Sequence, residues 1–311
     1  MRLHLDDRSK SWTHSDGHDA RALLEHPGLG VRPADALVQP ALAETAIGGL
    51  WSRWARMNDG PRHATLRARI DALLEPWDDI AVTDATERVT ERLLATHPPR
   101  GASLDRLLEA LPASVVAELL GFPKHLHPEL VTRVRLLVHA TAPGASRETI
   151  ADADVSTREL SALVEARLHP DDADQTASIV ALWWQGFDSM VGLLGNAILA
   201  LLQRPEADRT PSEASLASSP PILLTRRYAL RPLTLGSAEL TEGACVRVDL
   251  DAAVAFGAGP HRCPGELLAR RLCDVAAPRI VAARTDWPRL EPQYRPSHNA
   301  RLPCFADMEP R

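Results

Sequence analysis

Lysine is almost missing from this sequence: Lys10 and Lys124 are the only two among 35 basic residues in a chain of 311. Alanine, arginine, leucine and proline abound, which reflects GC-rich coding and points to no particular function. Cysteine is scarce too. Cys245, Cys263, Cys273 and Cys304 include no Cys-x-x-Cys pair, which disfavours a zinc knuckle and leaves no disulfide framework for a chain of this size. There is no Gly-x-Gly-x-x-Gly loop, so no flavin or nicotinamide domain is fused and any electrons must come from elsewhere. An excess of positive charge is also lacking: net −6 with a pI near 6.1 argues against a nucleic-acid partner. The first seven residues contain neither an apolar leader core nor a twin-arginine signal, so a cytoplasmic location is expected.

Long apolar runs are rare as well. The one at residues 179–202 carries Gln185, Asp188 and Asn196, and an ionised group near the middle of a lone membrane span is costly. It reads as a buried central helix, with no membrane partner. Helical periodicity recurs at residues 18–25, 62–74, 84–94, 103–120, 128–140, 155–168 and 265–283. Strand signals are few: 2–5, 11–14, 222–230 and a hairpin from 233 to 250. The Pro/Ser-rich stretches 97–103 and 210–221 read as connections, so a single domain over 1–311 is expected, mainly α with a small β portion.

The most informative stretch is Phe256-Gly257-Ala258-Gly259-Pro260-His261-Arg262-Cys263-Pro264-Gly265. Its glycines allow a tight turn against a flat macrocycle. Pro264 and Gly265 open a helical segment, which puts Cys263 at a helix N-terminus, where unpaired N–H groups and the dipole favour the thiolate. Such an anionic sulfur is suited to an axial position on haem iron. Phe256 would cover one side of it. The run resembles the cysteine loop of the cytochrome P-450 family, Phe-x-x-Gly-x-His-x-Cys-x-Gly, with every specified position filled. A resemblance to bacterial members extends along nearly the whole chain in the same order. It includes Val116-Ala117-Glu118-Leu119-Leu120-Gly121-Phe122-Pro123, a helix end with Gly121 at C′.

That resemblance implies haem b as cofactor, with Cys263 as the iron ligand and Phe256 and Gly265 in its loop. It also implies His63, Arg67, Arg227 and His261 at the propionates; His63 and Arg67 lie four apart on one helical face. On the central helix, Gln185-Gly186-Phe187-Asp188-Ser189 is similar to the family's oxygen-activation segment. Gly186 would let the helix widen, Ser189 would donate a hydrogen bond and Asp188 would act as general acid. The same polar pair would also suit simple hydrogen bonding inside a buried helix. Ser189 stands where the family has threonine, and Gln185 where it has a small residue. His14 and His18, at i and i+4, form only a weak metal pattern.

The departures are larger on the cysteine side. Ala214-Ser215-Leu216-Ala217 stands where the family carries Glu-x-x-Arg, and a Glu-x-x-Arg at 206–209 follows the central helix too closely to replace it. The loop is also entered directly from Val254-Ala255, without the family's long meander. The resemblance is therefore to a minimal cytochrome P-450 with a long helix over haem. It implies a haem-thiolate oxidoreductase acting on a small organic molecule, in specialised metabolism, with a ferredoxin-type electron donor. A peroxygenase, a non-redox haem enzyme and a non-catalytic helper of a partner enzyme stay open beside it. The losses are expected to uncover apolar surface on the cysteine side, fit for self-association or a protein partner.

Overall fold

The structure is a computed structural model that describes residues 3–6, 9–14, 19–33, 38–203, 208–218, 220–297 and 299–308. Ten α-helices among these residues enclose the main core: α1 (Asp19–Glu25), α2 (Ala46–Trp51), α3 (Gly60–Leu74), α4 (Asp79–Leu94), α5 (Gly101–Leu119), α6 (His127–Ala140), α7 (Arg147–Leu168), α8 (Ala173–Gln203), α9 (Pro211–Ser218) and α10 (Glu266–Ala282). The strands are β1 (Leu3–Asp6), β2 (Ser11–His14), β3 (Leu29–Gly30), β4 (Leu224–Ala229), β5 (Leu233–Leu235), β6 (Ala238–Leu240), β7 (Cys245–Asp249), β8 (Tyr294–Arg295) and β9 (Leu302–Pro303). A five-stranded sheet of order β1-β2-β7-β4-β3 lies beside the helices, over a second, smaller core that includes Leu23, Leu24, Val246 and Val248.

The chain is mainly α because its apolar residues recur at helical spacing. On α5, Leu104, Leu107, Leu108, Leu111 and Val115 form one buried face. That helix closes as its sequence dictates. Gly121 turns left-handed with φ 78°, Phe122 N–H donates to Ala117 O at 2.9 Å and Gly121 N–H to Glu118 O at 3.0 Å, a Schellman closure that Pro123 then seals. Two helices begin earlier than periodicity suggests, because caps set their starts. Asp78 accepts from Ala81 N–H at 2.8 Å ahead of α4, and Ser146 from Thr149 N–H at 3.0 Å ahead of α7.

The sheet corrects one expectation. Residues 233–250 do not make a single hairpin: β5 and β6 pair with each other, while β7 leaves them to run antiparallel to β4 and parallel to β2. Alternation along β7 buries Val246 and Val248 on one face, and only the larger sheet supplies a core for them. A second correction is α9, which lies inside the stretch expected to be a mere connection. His14 Nε2 accepts from Asp249 N–H at 2.9 Å, so it serves the β2–β7 seam. His18, Glu206 and Ala207 lie outside the described residues, and no metal-binding cluster occurs among those described.

α8 is the central element. Among the described residues it is the one helix long and apolar enough to cross a membrane, and most of its apolar window is buried within the protein. Its C-terminal half receives β9 closely: a Cβ on Gly192 would stand 2.9 Å from Arg301 O, and Asn196 Nδ2 donates to that same carbonyl at 3.2 Å. Its first turn is anchored electrostatically. Asp174 accepts from Arg62 at the start of α3 and from Arg53 beyond α2, each at 2.8 Å, at the end where the helix dipole favours negative charge.

α9 and α10 show how the cysteine side is braced without a Glu-x-x-Arg pair. Asp274 on α10 accepts from Ser212 N–H at 2.7 Å and from Ser212 Oγ at 3.1 Å, and Ser215 Oγ donates to Leu193 O of α8 at 3.1 Å. Ala214 and Ala217 add no charge between these ties. The expected apolar cysteine-side surface is not a continuous patch. Ile80 and Leu267 are exposed, but ion pairs run between α4 and α10, joining Arg279 to Glu87 and Arg271 to Asp79.

The Asp174 cluster makes a testable contribution. The hydrogen bonds from Arg62, opposed by burial and aided by Arg53, lower the Asp174 pKa to about 2. Its stabilisation is therefore present above the ordinary carboxylate range and is lost as pH falls through about 2. After allowance for half-exposed arginine partners, Asp174→Asn should cost about 1 kcal/mol at pH 7 in denaturant unfolding. The difference should vanish below pH 2.

Candidate active site

The cysteine loop leaves β7, turns twice through left-handed glycines, Gly257 at φ 73° and Gly259 at φ 65°, and enters α10. Those turns let Cys263 N–H donate back to Phe256 O at 2.8 Å and Arg262 N–H to Gly259 O at 3.1 Å. Gly259 must also be small, since a Cβ there would meet Glu25 Cγ at 3.0 Å. Gly265 is the N-cap of α10, and its N–H bonds to the Cys263 sulfur. The Phe256 ring lies against α10, with the Arg270 guanidinium 4.8 Å from its centroid.

The expectation that the helix end by itself holds Cys263 as thiolate is corrected. Burial pushes the thiol up, and this outweighs the Gly265 N–H and the charges of Arg56 and Arg67. A coordinated metal ion reverses that balance by deprotonating the thiol outright.

Positive charge converges on this loop from three other elements. Asp59 precedes α3 at its N-cap yet makes no cap bond. Its carboxylate instead accepts from His261 Nε2 at 3.1 Å and from Val31 N–H at 2.9 Å. Burial pushes the Asp59 carboxyl up, but the bonds from His261 and Val31, with the His261 and Arg227 charges, outweigh it and hold it low. His63 stacks on His261 with ring centroids 4.1 Å apart. Burial first, then the neighbouring His261 and Arg67 charges, lower the His63 pKa to about 4, so it is neutral at pH 7.

Arg227 extends from β4 and is 5% exposed; its one hydrogen bond goes to Arg226 O at 3.0 Å. Burial, then the like charge of Arg56, lower its pKa to about 10 against the pull of Asp59. Sequence reasoning missed Arg56 and Asp59. Asp59 carries the usual signal of a helix cap, and Arg56 carries no signal at all in a short 3-10 turn.

Arg67 is placed otherwise than expected. Its guanidinium donates to Arg262 O at 2.7 Å, to Pro260 O at 3.2 Å and to Asp71 at 2.8 Å, so it fastens α3 to the loop backbone. Arg227, His63 and His261 are brought together with Cys263; Arg67 supports the wall behind them.

The α8 residues form a separate group. α8 is α-helical through Gly186 without the expected widening, and the place of a Cβ on Gly186 is filled by Met190, whose Cε would be 2.6 Å away. Ser189 Oγ donates back to Gly186 O at 3.1 Å and Gln185 O at 3.3 Å. Burial raises the Asp188 pKa, opposed by the charges of His139 and Arg295 and assisted by Glu109. Gln185 Nε2 is buried with no hydrogen-bond partner. Neither Asp188 nor Ser189 hydrogen-bonds to the cationic group around Cys263. Beyond Gln185, Trp184 stacks on Trp54 at 4.1 Å and donates to Thr141 Oγ1 at 2.8 Å, while Trp183 is core.

The residues suit a flat dicarboxylate cofactor held by a thiolate. The donor set has one sulfur, a helix N-terminus behind it and an unpaired, buried guanidinium beside it. Comparison with known proteins agrees. No protein-family model matches the chain. Cytochrome P-450 BJ-3 of Bradyrhizobium diazoefficiens is 28% identical, covering 73% of this chain and 70% of that protein. The C-19 steroid 1alpha-hydroxylase of Sorangium cellulosum is 26% identical, covering 76% and 75%. Among solved structures, P450BioI in complex with acylated acyl carrier protein superposes with a TM-score of 0.79 at 18% identity, covering 97% of this chain and 93% of that one. Cytochrome P-450 Eryk of S. erythraea gives a TM-score of 0.71 at 20% identity, covering 99% and 93%. The chain thus has the cytochrome P-450 fold and is related in sequence to cytochromes P-450. It is a short P-450-like monooxygenase, of the class whose cofactor is haem b.

The Arg67 clamp can be tested. Arg67→Ala removes two bonds to the loop backbone, and each charge-assisted bond contributes about 1–3 kcal/mol when its loss strands a partner. Unfolding free energy should fall by about 1–3 kcal/mol, and limited proteolysis should find residues 256–265 more readily cut.

Proposed function

We propose that residues 1–311 form one haem domain in which Cys263 is the axial ligand, and that it oxidises a small organic molecule of specialised metabolism. The observation that carries this is the convergence of Cys263, His261, His63 and the unpaired Arg227 from three separate parts of the chain on one buried place. Haem-thiolate iron, when bound, supplies the activation of dioxygen and the insertion of an oxygen atom into substrate. Phe256 limits water at the sulfur, and the Gly265 N–H donates to it. Arg227 and His261 hold carboxylates at the cofactor's edge, and Asp59 orients His261.

Asp188 is the proton carrier of α8. Burial raises its pKa, so its carboxyl can take up and release a proton nearer neutrality than an exposed aspartate. Ser189 turns its hydroxyl from the Gly186 and Gln185 carbonyls to pass that proton on. Electrons come from a ferredoxin-type protein docking on the cysteine side, where arginines of α10 lie at the surface. The retained Cys263 argues against a purely structural helper.

A second reading rests on the distal geometry. Ser189 is bonded back to its own helix, and Met190 covers Gly186, as suits an enzyme that needs no proton relay from α8. Such an enzyme would use supplied peroxide, or no oxidant for a dehydration or rearrangement.

Two experiments decide between these. The reduced protein under carbon monoxide should show the red-shifted Soret band of a thiolate haem, and Cys263→Ala should lose it; a variant that kept the band would defeat the ligand assignment. Asp188→Asn should lower product formation with a ferredoxin system under air by about 10²–10⁴-fold, with peroxide released instead. If the peroxide-driven reaction is the native one, that substitution should leave it nearly unchanged. Full product formation without air or oxidant would replace both with the non-redox chemistry.

A further inference from the structure

Arg56 lies in the 3-10 turn Ala55–Met57 between α2 and α3, and its backbone is held rigidly. Trp54, fully buried, donates its indole N–H to Ala177 O of α8 at 3.1 Å, and Asn58 Nδ2 donates to Trp54 O at 2.8 Å and Ser52 O at 3.0 Å. Between these anchors the Arg56 side chain is surrounded by protein on every side, yet its surface is accessible to solvent, as for a group lining an internal void. Among the described residues it makes no hydrogen bond and no ion pair. Its charge acts on two neighbours, the Cys263 sulfur and the Arg227 guanidinium.

Two guanidinium groups therefore face one another across a void with no carboxylate between them. The one nearby acid, Asp59, already accepts from His261 and Val31. Arginine keeps its charge in proteins, so a buried pair of this kind needs an anion, and a planar carboxylate matches the guanidinium fork. Nothing in the chain supplies one. Arg67, which the family resemblance would send to a propionate, is spent on Pro260 O, Arg262 O and Asp71.

We propose that Arg56 binds a carboxylate of the haem, sharing the propionate edge with Arg227 and taking the part that the resemblance assigns to Arg67. This rests on the haem reading above and adds to it a binding residue that the cysteine loop does not reveal.

The test separates charge recognition from structure by masking the cofactor's carboxylates. Apo-protein is titrated with haem and with haem dimethyl ester, whose propionates are neutral, and affinities are read from the Soret change. Wild type should prefer haem. Arg56→Gln should weaken haem binding by about 10- to 100-fold, the loss expected of a charge-assisted hydrogen bond, and leave the diester unaffected. Arg227→Gln should behave likewise, and Arg69→Gln, on the Asp172 pair at the surface, should change neither affinity.

If Arg56→Gln weakens both cofactors equally, or neither, the proposal is overturned while haem binding stands. Wild type taking up neither cofactor would defeat the haem reading itself. Should Arg56→Gln fail to fold, Arg56→Lys, which keeps the charge, must retain the preference for haem over its diester. Loss of that preference by a folded Arg56→Lys protein that still binds the diester is equally consistent with the proposal, because an ammonium lacks the fork; loss of diester binding would overturn it.

Discussion

Uncompensated positive charge buried beside a cysteine is the constraint on which this structure turns. Arg227 and Arg56 share a void, and the only adjacent carboxylate, Asp59, is committed to His261 and Val31. A buried charge without a partner is costly, and a fold retains one where a ligand completes it. The same charges lower the cost of an anionic sulfur at Cys263, although burial keeps the thiol protonated in the protein by itself. Cofactor carboxylates and a metal-bound thiolate would resolve both imbalances together.

Around that place the chain has replaced the missing parts of a larger fold with small, local ties. Without a buried Glu–Arg pair, α9 is capped by Asp274 of α10 and pinned to α8 through Ser215. Neutral or singly charged hydrogen bonds of this kind avoid the desolvation of an ion pair. Arg67 performs a related service by clamping the loop backbone to α3. In a chain with little room for braces, an arginine spent on structure leaves cofactor recognition to its neighbours.

The distal side is organised by packing more than by polarity. Three tryptophans, Trp51, Trp54 and Trp184, stack where α2 and its following turn meet α8. Their bulk fixes Arg56 through the Trp54 backbone, so the aromatic cluster and the cationic cluster are mechanically one unit. Asp188 stands apart from both, its carboxyl tuned by His139, Arg295 and Glu109 from α6, β8 and α5.

Several features were legible in the sequence alone. The helical periodicity of α5 and its Gly121-Phe122-Pro123 end follow from local spacing and from glycine's tolerance of positive φ, so no tertiary contact was needed to read them. The cysteine loop was equally legible, because its glycines and Cys263 act within ten residues. Pairing of β7 with β2 and β4, the use of Arg67 on loop carbonyls, the release of Asp59 from its cap and the presence of Arg56 in the void were decided by contacts across the chain. Arg67 and Arg262 are far apart in sequence, and a guanidinium that can reach either a carboxylate or a carbonyl is assigned only when the fold sets which one lies within 3 Å. Periodicity and local turns are properties of neighbouring residues; the partner of a long, charged side chain is a property of the assembled interior.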